Sequence, residues 1–219
     1  PMLQSTEAQR VVPHAWKAGH QTVNLRLQLE AMQDGGVFVI SIPKAPYRCP
    51  PGPYERICQV ASYLKNTKPN SKIIVLDANP EILSKKALFS KVWEQTYAGM
   101  IDYRPNSTLV EVDVKAKSVT TEFEVLNADV LNVIPPQRAG KIAQIAGVAN
   151  VDKRWCEVDY LTFESKAAKN VHVLGDSLQI APGMPKSGHM ANQHGKSCAA
   201  AVVALLSNKV VNNLPIYNN

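Results

Sequence analysis

Apolar positions along the chain switch repeatedly between two rhythms. GVFVISI (Gly36 to Ile42), KIIVLDA (Lys72 to Ala78) and ADVLNVIPP (Ala128 to Pro136) are near-continuous apolar runs, as expected of parallel strands buried on both faces. Between the first two, PYERICQVASYLKN sets Ile57, Val60, Ala61 and Leu64 on one helical face. KKALFSKVWEQTYAG predicts a further helix, ended by Gly99. Ahead of the first strand, AWKAGHQTVNLRLQLEAMQDGG predicts an amphipathic helix whose rhythm is carried by Val23, Leu27 and Glu30 to Met32. STLVEVDV and SVTTEFEV read as a β-hairpin excursion. The alternation predicts an α/β fold, a Rossmann-like doubly wound parallel sheet with that hairpin to one side.

Past PPQRAG the rhythm changes. KIAQIAGVAN predicts a short helix, the stretch around RWCEVDYLTFES is irregular, NVHVLGD predicts a strand, and SGHMANQHGKSCAAAVVALLSN a long helix. A boundary is expected near Pro136, dividing the chain into residues 1–136 and 137–219. The chain opens at Pro1 with a polar stretch and closes at PIYNN without an evident cap, so it is expected to be an internal fragment of a longer protein. No targeting segment is visible, and the longest clean apolar run, CAAAVVALL, is too short to span a bilayer.

Composition narrows the function classes. The 219 residues are 45% hydrophobic, as expected of a globular protein. A balance of 24 basic to 18 acidic residues gives a net charge of +6, which favours an acidic partner or an anionic substrate. The basic residues are scattered and do not interleave with aromatics, so a nucleic-acid stacking platform is not expected. Four cysteines, widely spaced and without a Cys-x-x-Cys pair, exclude a disulfide scaffold and a structural zinc site. His189 and His194 lie five apart, about 140° around a helix, and would not chelate one metal from one face.

Two junctions carry candidate chemistry. After the first strand comes YRCPPGPYER, where a dinucleotide fold would need a glycine-rich turn against the pyrophosphate. Pro50, Pro51 and Pro53 lack amide protons, and Gly52 alone allows close approach, so pyridine nucleotide binding is not expected. Asp77, at the end of the second strand, stands where a ribose-binding acid would stand. The prolines instead set Cys49 just before a helix, whose N-terminus favours a thiolate, with Glu55 available as a proton acceptor. The plain alternative is that Cys49 is a small buried hydrophobe. Cys58 and Cys198 read as packing residues, and Cys156, beside Trp155, is open.

The second junction is VHVLGDSLQIAPGMPKSGHMANQHGK. Here Gly175-Asp176 ends a strand, Pro185-Lys186 closes a loop, and Ser187-Gly188 starts a helix. A carboxylate in that place can accept from sugar-alcohol hydroxyls, Ser187 can cap the helix, and Gly188 lets a ring or carbonyl approach its amides. An ordinary strand–loop–helix connection explains the same residues.

Together VPHAWKAG (Val12 to Gly19), YRCPPGPYER, ADVLNVIPPQRAGKIAQIAG, RWCEVD, TFES and HVLGD followed by MPKSGHMANQHGK give a resemblance over essentially the whole chain. The chain resembles the flavoprotein subunit of flavocytochrome c sulfide dehydrogenase, within the two-dinucleotide-fold flavoprotein disulfide reductases. That resemblance implies a degenerate pyridine-nucleotide-type domain over 1–136 and the C-terminal part of an FAD-binding domain over 137–219. It implies sulfide as substrate, FAD as cofactor, haem c on a cytochrome partner subunit, and a periplasmic location. Cys49 matches one cysteine of a redox-active disulfide and Glu55 an acid beside it. Asp176, after Gly175, matches the carboxylate on the FAD ribitol. The amides following Pro185, at Lys186, Ser187 and Gly188, match the helix end near the pyrimidine edge of the flavin. None of Cys58, Cys156 and Cys198 matches the partner cysteine, which is expected just past PIYNN. The glycine-rich FAD loop is absent from this sequence. A sulfide:quinone oxidoreductase and a non-catalytic scaffold or binding module are the alternatives.

Overall fold

A computed structural model describes Leu3 and residues 5–213; the PIYNN end lies outside these residues. The chain divides into two compact units, Pro1–Ala45 with Pro51–Pro136, and Pro46–Pro50 with Gln137–Asn219. Relative to a simple division at Pro136, the five residues around Cys49 group with the later part of the chain.

The first unit is built on a parallel sheet. Strands β1 (Val37–Ile42), β2 (Lys72–Asp77), β3 (Ile101–Arg104) and β7 (Val130–Val133) lie in the order β3-β2-β1-β7. Register pairs Val39 with Ile74 and Leu131, and Ser41 with Leu76 and Val133, so these side chains share one face. On that face Val39, Leu76, Leu131 and Val133 pack with Val12 and Val119. The alternate residues, including Phe38, Ile40, Ile73 and Val75, are fully buried on the other face. That double burial is why the strands read as unbroken apolar runs.

Helix α3 (Gly52–Thr67) follows β1 and buries Ile57, Val60, Ala61 and Leu64, the face that the periodicity predicts. Truncating Leu64, which has no exposed surface, to alanine would cost about 2–5 kcal/mol. Helix α4 (Lys86–Gln95) buries Phe89 and Trp93, which form with Tyr54 and Tyr103 a chain of ring contacts at 5.5 to 6.3 Å.

The elements differ from the sequence expectation at several places. The leading helix α2 (His20–Ala31) is shorter than the sequence suggests and buries Leu25 and Leu29, with Met32 just after it. Val23 and Leu27, expected inside, are each 56% exposed. Three leucines at alternate positions fit two helical faces equally well, and packing decides between them. The expected β-hairpin is present as β4 (Leu109–Asp113) against β5 (Ser118–Thr121), and β6 (Val125–Asn127) adds a third antiparallel strand because the chain folds back once more before β7. A short helix α1 (Thr6–Val11), capped by Ser5, and the half-polar strand β3 were not anticipated.

The second unit is loop-rich. It contains α5 (Lys141–Ile145) and α6 (Gly188–Leu206), joined by turns. One core gathers Ala139, Ala143, Val148, Trp155 and Cys156, and another Val158, Phe163, Leu178 and Cys198. NVHVLGD, expected as a strand, makes only an isolated bridge, His172 to Glu164, and ends in a single 3-10 turn at Gly175–Ser177. Val171 and Leu174 are 38% and 39% exposed, so the segment has apolar alternation without a ladder to join.

Candidate functional site

The Gly175-Asp176 turn is clamped by side chains of its own unit. Gly175 adopts φ +70°, and a Cβ there would meet the Cβ of Ala191, on α6, at 3.1 Å. Its amide donates to Nδ1 of His194, also on α6, at 3.2 Å in a buried setting. Lys186 is 2% exposed, and its ammonium donates to the backbone carbonyls of Asp176 at 2.8 Å and Leu178 at 2.5 Å. The same ammonium lies 3.6 Å from the centroid of the Trp155 ring, a cation–π contact. Burial holds Lys186 down to about 8, against the pull of the nearby Asp176 carboxylate. A lysine can stay in this place because two carbonyls and a ring face replace its hydration.

What the clamp presents is a carboxylate. Oδ1 of Asp176 is buried and has no hydrogen-bond partner among the described residues. Nε1 of Trp155, Nε2 of His194 and Nε2 of Gln137, in the same unit, share that condition. A buried polar atom without a partner costs about 1–3 kcal/mol. Of these, the Asp176 oxygen is an acceptor, the kind of group that a ligand hydroxyl would satisfy. At α6, Ser187 is the N-cap, its hydroxyl accepting the Met190 amide at 3.2 Å. Gly188, at the first helical position, is exposed with open space where a Cβ would point. The first amides of this 19-residue helix are therefore approachable from outside.

Cys49 belongs to the same unit as Asp176. It is half-buried, with φ 59°, the left-handed region that a non-glycine residue seldom adopts. Its amide donates to the Lys186 carbonyl at 2.7 Å, and the neighbouring Arg48 amide donates to Oε1 of Gln137 at 2.9 Å. The segment that carries the cysteine is thus tied to Pro185-Lys186 just before α6. Glu55 is exposed in the first turn of α3, within the first unit. The other cysteines pack: Cys156 and Cys198 are buried, and Cys58 accepts from Nε1 of Trp93 at 3.2 Å. Burial pushes all three thiols up.

Asp77 has no exposed surface, and both of its carboxylate oxygens are occupied. Oδ2 accepts from the hydroxyls of Tyr54 at 2.8 Å and Tyr103 at 3.0 Å. Oδ1 accepts from the backbone and side chain of Asn79 at 2.9 and 2.7 Å. An acid already holding four donors has no free lone pair directed at a ribose. Arg56, four residues into α3, donates to the carbonyls of His14 and Ala15 and to Oδ1 of Asn132, and stacks on Trp16 at 4.8 Å. Burial lowers it to about 10. Neither the His194 acceptor nor this arginine clamp was anticipated; Arg56 lay within a recognised motif, but its partners lie 41 to 76 residues away.

Among the described residues no group of three His, Cys, Asp or Glu could hold a metal ion, and no helix is long and apolar enough to cross a membrane.

The family model for the central part of the sulfide dehydrogenase (flavocytochrome c) flavoprotein chain matches residues 22–135. Among solved structures, a chain of the Tetrahymena thermophila mitochondrial ATP synthase aligns at 19% identity and TM-score 0.64, covering 92% of this chain and 50% of that one. An FAD-dependent pyridine nucleotide-disulphide oxidoreductase from Desulfovibrio vulgaris aligns at 16% identity and TM-score 0.52, covering 88% and 48%. Reduced Bacillus anthracis CoADR-RHD aligns at 10% identity and TM-score 0.59, covering 94% and 36%. At these identities the likeness establishes the fold alone. The chain spans half or less of the length of each.

Proposed function

Since the chain belongs to the family of the sulfide dehydrogenase (flavocytochrome c) flavoprotein chain, we propose that it is part of an FAD-dependent enzyme that oxidises sulfide and passes electrons to a c-type cytochrome subunit. The observation that carries this reading is the seat of Cys49. A half-buried thiol sits on a left-handed backbone position, anchored to the residue whose ammonium braces Asp176. Strained backbone of this kind costs on the order of 1–3 kcal/mol and persists where the surroundings over-determine it, often at reactive sites.

In this reading residues 1–136 are a pyridine-nucleotide-type domain that no longer serves nicotinamide, which the occupied Asp77 supports. Residues 137–219 are the C-terminal part of the FAD-binding domain. Oδ1 of Asp176, set by Gly175, would accept from a ribityl hydroxyl. The turn at Pro185 and Lys186, with the amides at Ser187 and Gly188, would meet the pyrimidine edge, where the positive end of α6 favours negative charge. When bound, FAD supplies the acceptor for an electron pair that the haem c of the partner subunit takes one electron at a time.

The chemistry on the protein is a thiol–disulfide exchange. Cys49 is paired with a second cysteine outside this sequence. Hydrosulfide attacks one sulfur of that disulfide; the bond between the cysteines breaks, a cysteine persulfide forms, and the other cysteine leaves as thiolate. The proton of the persulfide leaves to solvent. The enzyme acts in the periplasm.

Purifying the full-length protein with its partner tests the reading. The expected result is a flavin spectrum and sulfide-dependent reduction of cytochrome c. A flavoprotein subunit that, separated from its haem partner, shows no flavin absorption after incubation with FAD, or a complex that reduces a quinone analogue and not cytochrome c, would contradict it.

A further inference from the structure

We infer that His194 is a positioning residue for the flavin site: its Nδ1 holds the Gly175 amide, and through it the orientation of the Asp176 carboxylate. The inference rests on the FAD reading above and adds a residue to it.

His194 is 2% exposed and packs against Phe163, ring centroids 5.0 Å apart. Nδ1 accepts the Gly175 amide in a buried setting, so the ring is neutral and carries its proton on Nε2. Burial favours the neutral ring, as does the Lys186 ammonium, while Asp176 works the other way. The acceptor matters because Gly175 sits at φ +70° with α6 against it, and Asp176 is the next residue. On the far side of Asp176, Lys186 fixes its carbonyl. The turn is thus pinned before and after the carboxylate, by two side chains with separate functions. Lys186 supplies charge and bonds two carbonyls; His194 supplies the only side-chain acceptor for the amide that precedes Asp176 among the described residues. A histidine spends no charge on that task, which suits a place beside a carboxylate that must remain open to a ligand.

The test is made in the full-length protein by measuring FAD affinity through flavin fluorescence release, with no substrate present. In His194→Asn, Oδ1 can take the place of Nδ1. In His194→Gln the acceptor is displaced toward the Nε2 position, and in His194→Leu it is lost. The expected order is wild type and Asn close together, with Gln and Leu weaker by about tenfold, the worth of one buried hydrogen bond. A shifted flavin absorption band in Gln and absent from Asn is expected alongside. Equal affinity in Asn and Gln, or wild-type affinity in Leu, would overturn the inference while leaving the flavin reading intact. A wild-type protein that binds no FAD would overturn both. Should Leu fail to fold, the Asn and Gln pair decides.

Discussion

The Cys49 amide donates to the Lys186 carbonyl at 2.7 Å, so the candidate sulfur and the brace of Asp176 share one residue. Lys186→Met keeps much of the aliphatic bulk and removes the donors to Asp176 and Leu178. The expected loss is about 2–3 kcal/mol of stability, since two carbonyls lose their donor. Denaturant midpoints of the full-length protein check it.

Lys186 also predicts a pH dependence. Its folded value, about 8, lies below its ordinary 10.5, so between the two the unfolded chain binds the extra proton. Stability from this group therefore rises as pH climbs from about 8 toward 10.5, and Lys186→Met removes that part of the slope. Paired unfolding titrations of wild type and variant across this window check the difference; parallel curves would contradict it.

Asp77→Asn is expected to destabilise by about 2–3 kcal/mol, because an amide cannot accept from four donors and adds two of its own. Affinity for pyridine nucleotide is expected to stay negligible in wild type and variant alike. Thermal melting with and without nucleotide measures both.

Arg56→Met leaves the carbonyl of Ala15 and Oδ1 of Asn132 without their donor, while the His14 carbonyl keeps Nδ2 of Asn132 at 3.0 Å. A loss of about 3 kcal/mol is expected, roughly that of orphaning two buried acceptors. Urea unfolding checks it.

How much of this was legible depended on whether the signal was local. The α3 face is readable because Ile57, Val60, Ala61 and Leu64 repeat at helical spacing and all are buried. The Ser187 cap was readable for the same reason: its partner is three residues away. Leu25 and Leu29 were missed because Val23 and Leu27 offer an equally good stripe, and only tertiary packing chooses. The spacing of His194 from His189 speaks only to metal binding, which it excludes; the partner that His194 holds lies 19 residues away across a loop. Asp77 was placed correctly at a strand end, yet the donors Tyr54 and Tyr103 that occupy it come from other elements. VPHAWKAG and YRCPPGPYER were recognised as separate motifs, and Arg56 is where they meet.

Asp176→Ala removes the buried unpartnered Oδ1 and is expected to weaken FAD by about tenfold or more in the full-length protein, with little effect on apoprotein melting. Fluorescence titration and calorimetry separate the two effects.

The central claim is that the Cys49 sulfur meets hydrosulfide. Anaerobic stopped-flow mixing of sulfide with full-length, flavin-loaded Cys49→Ser protein tests it most directly. Loss of sulfide-driven flavin bleaching, with FAD content and the oxidised spectrum retained, is the predicted result. Bleaching at the wild-type rate would contradict the account.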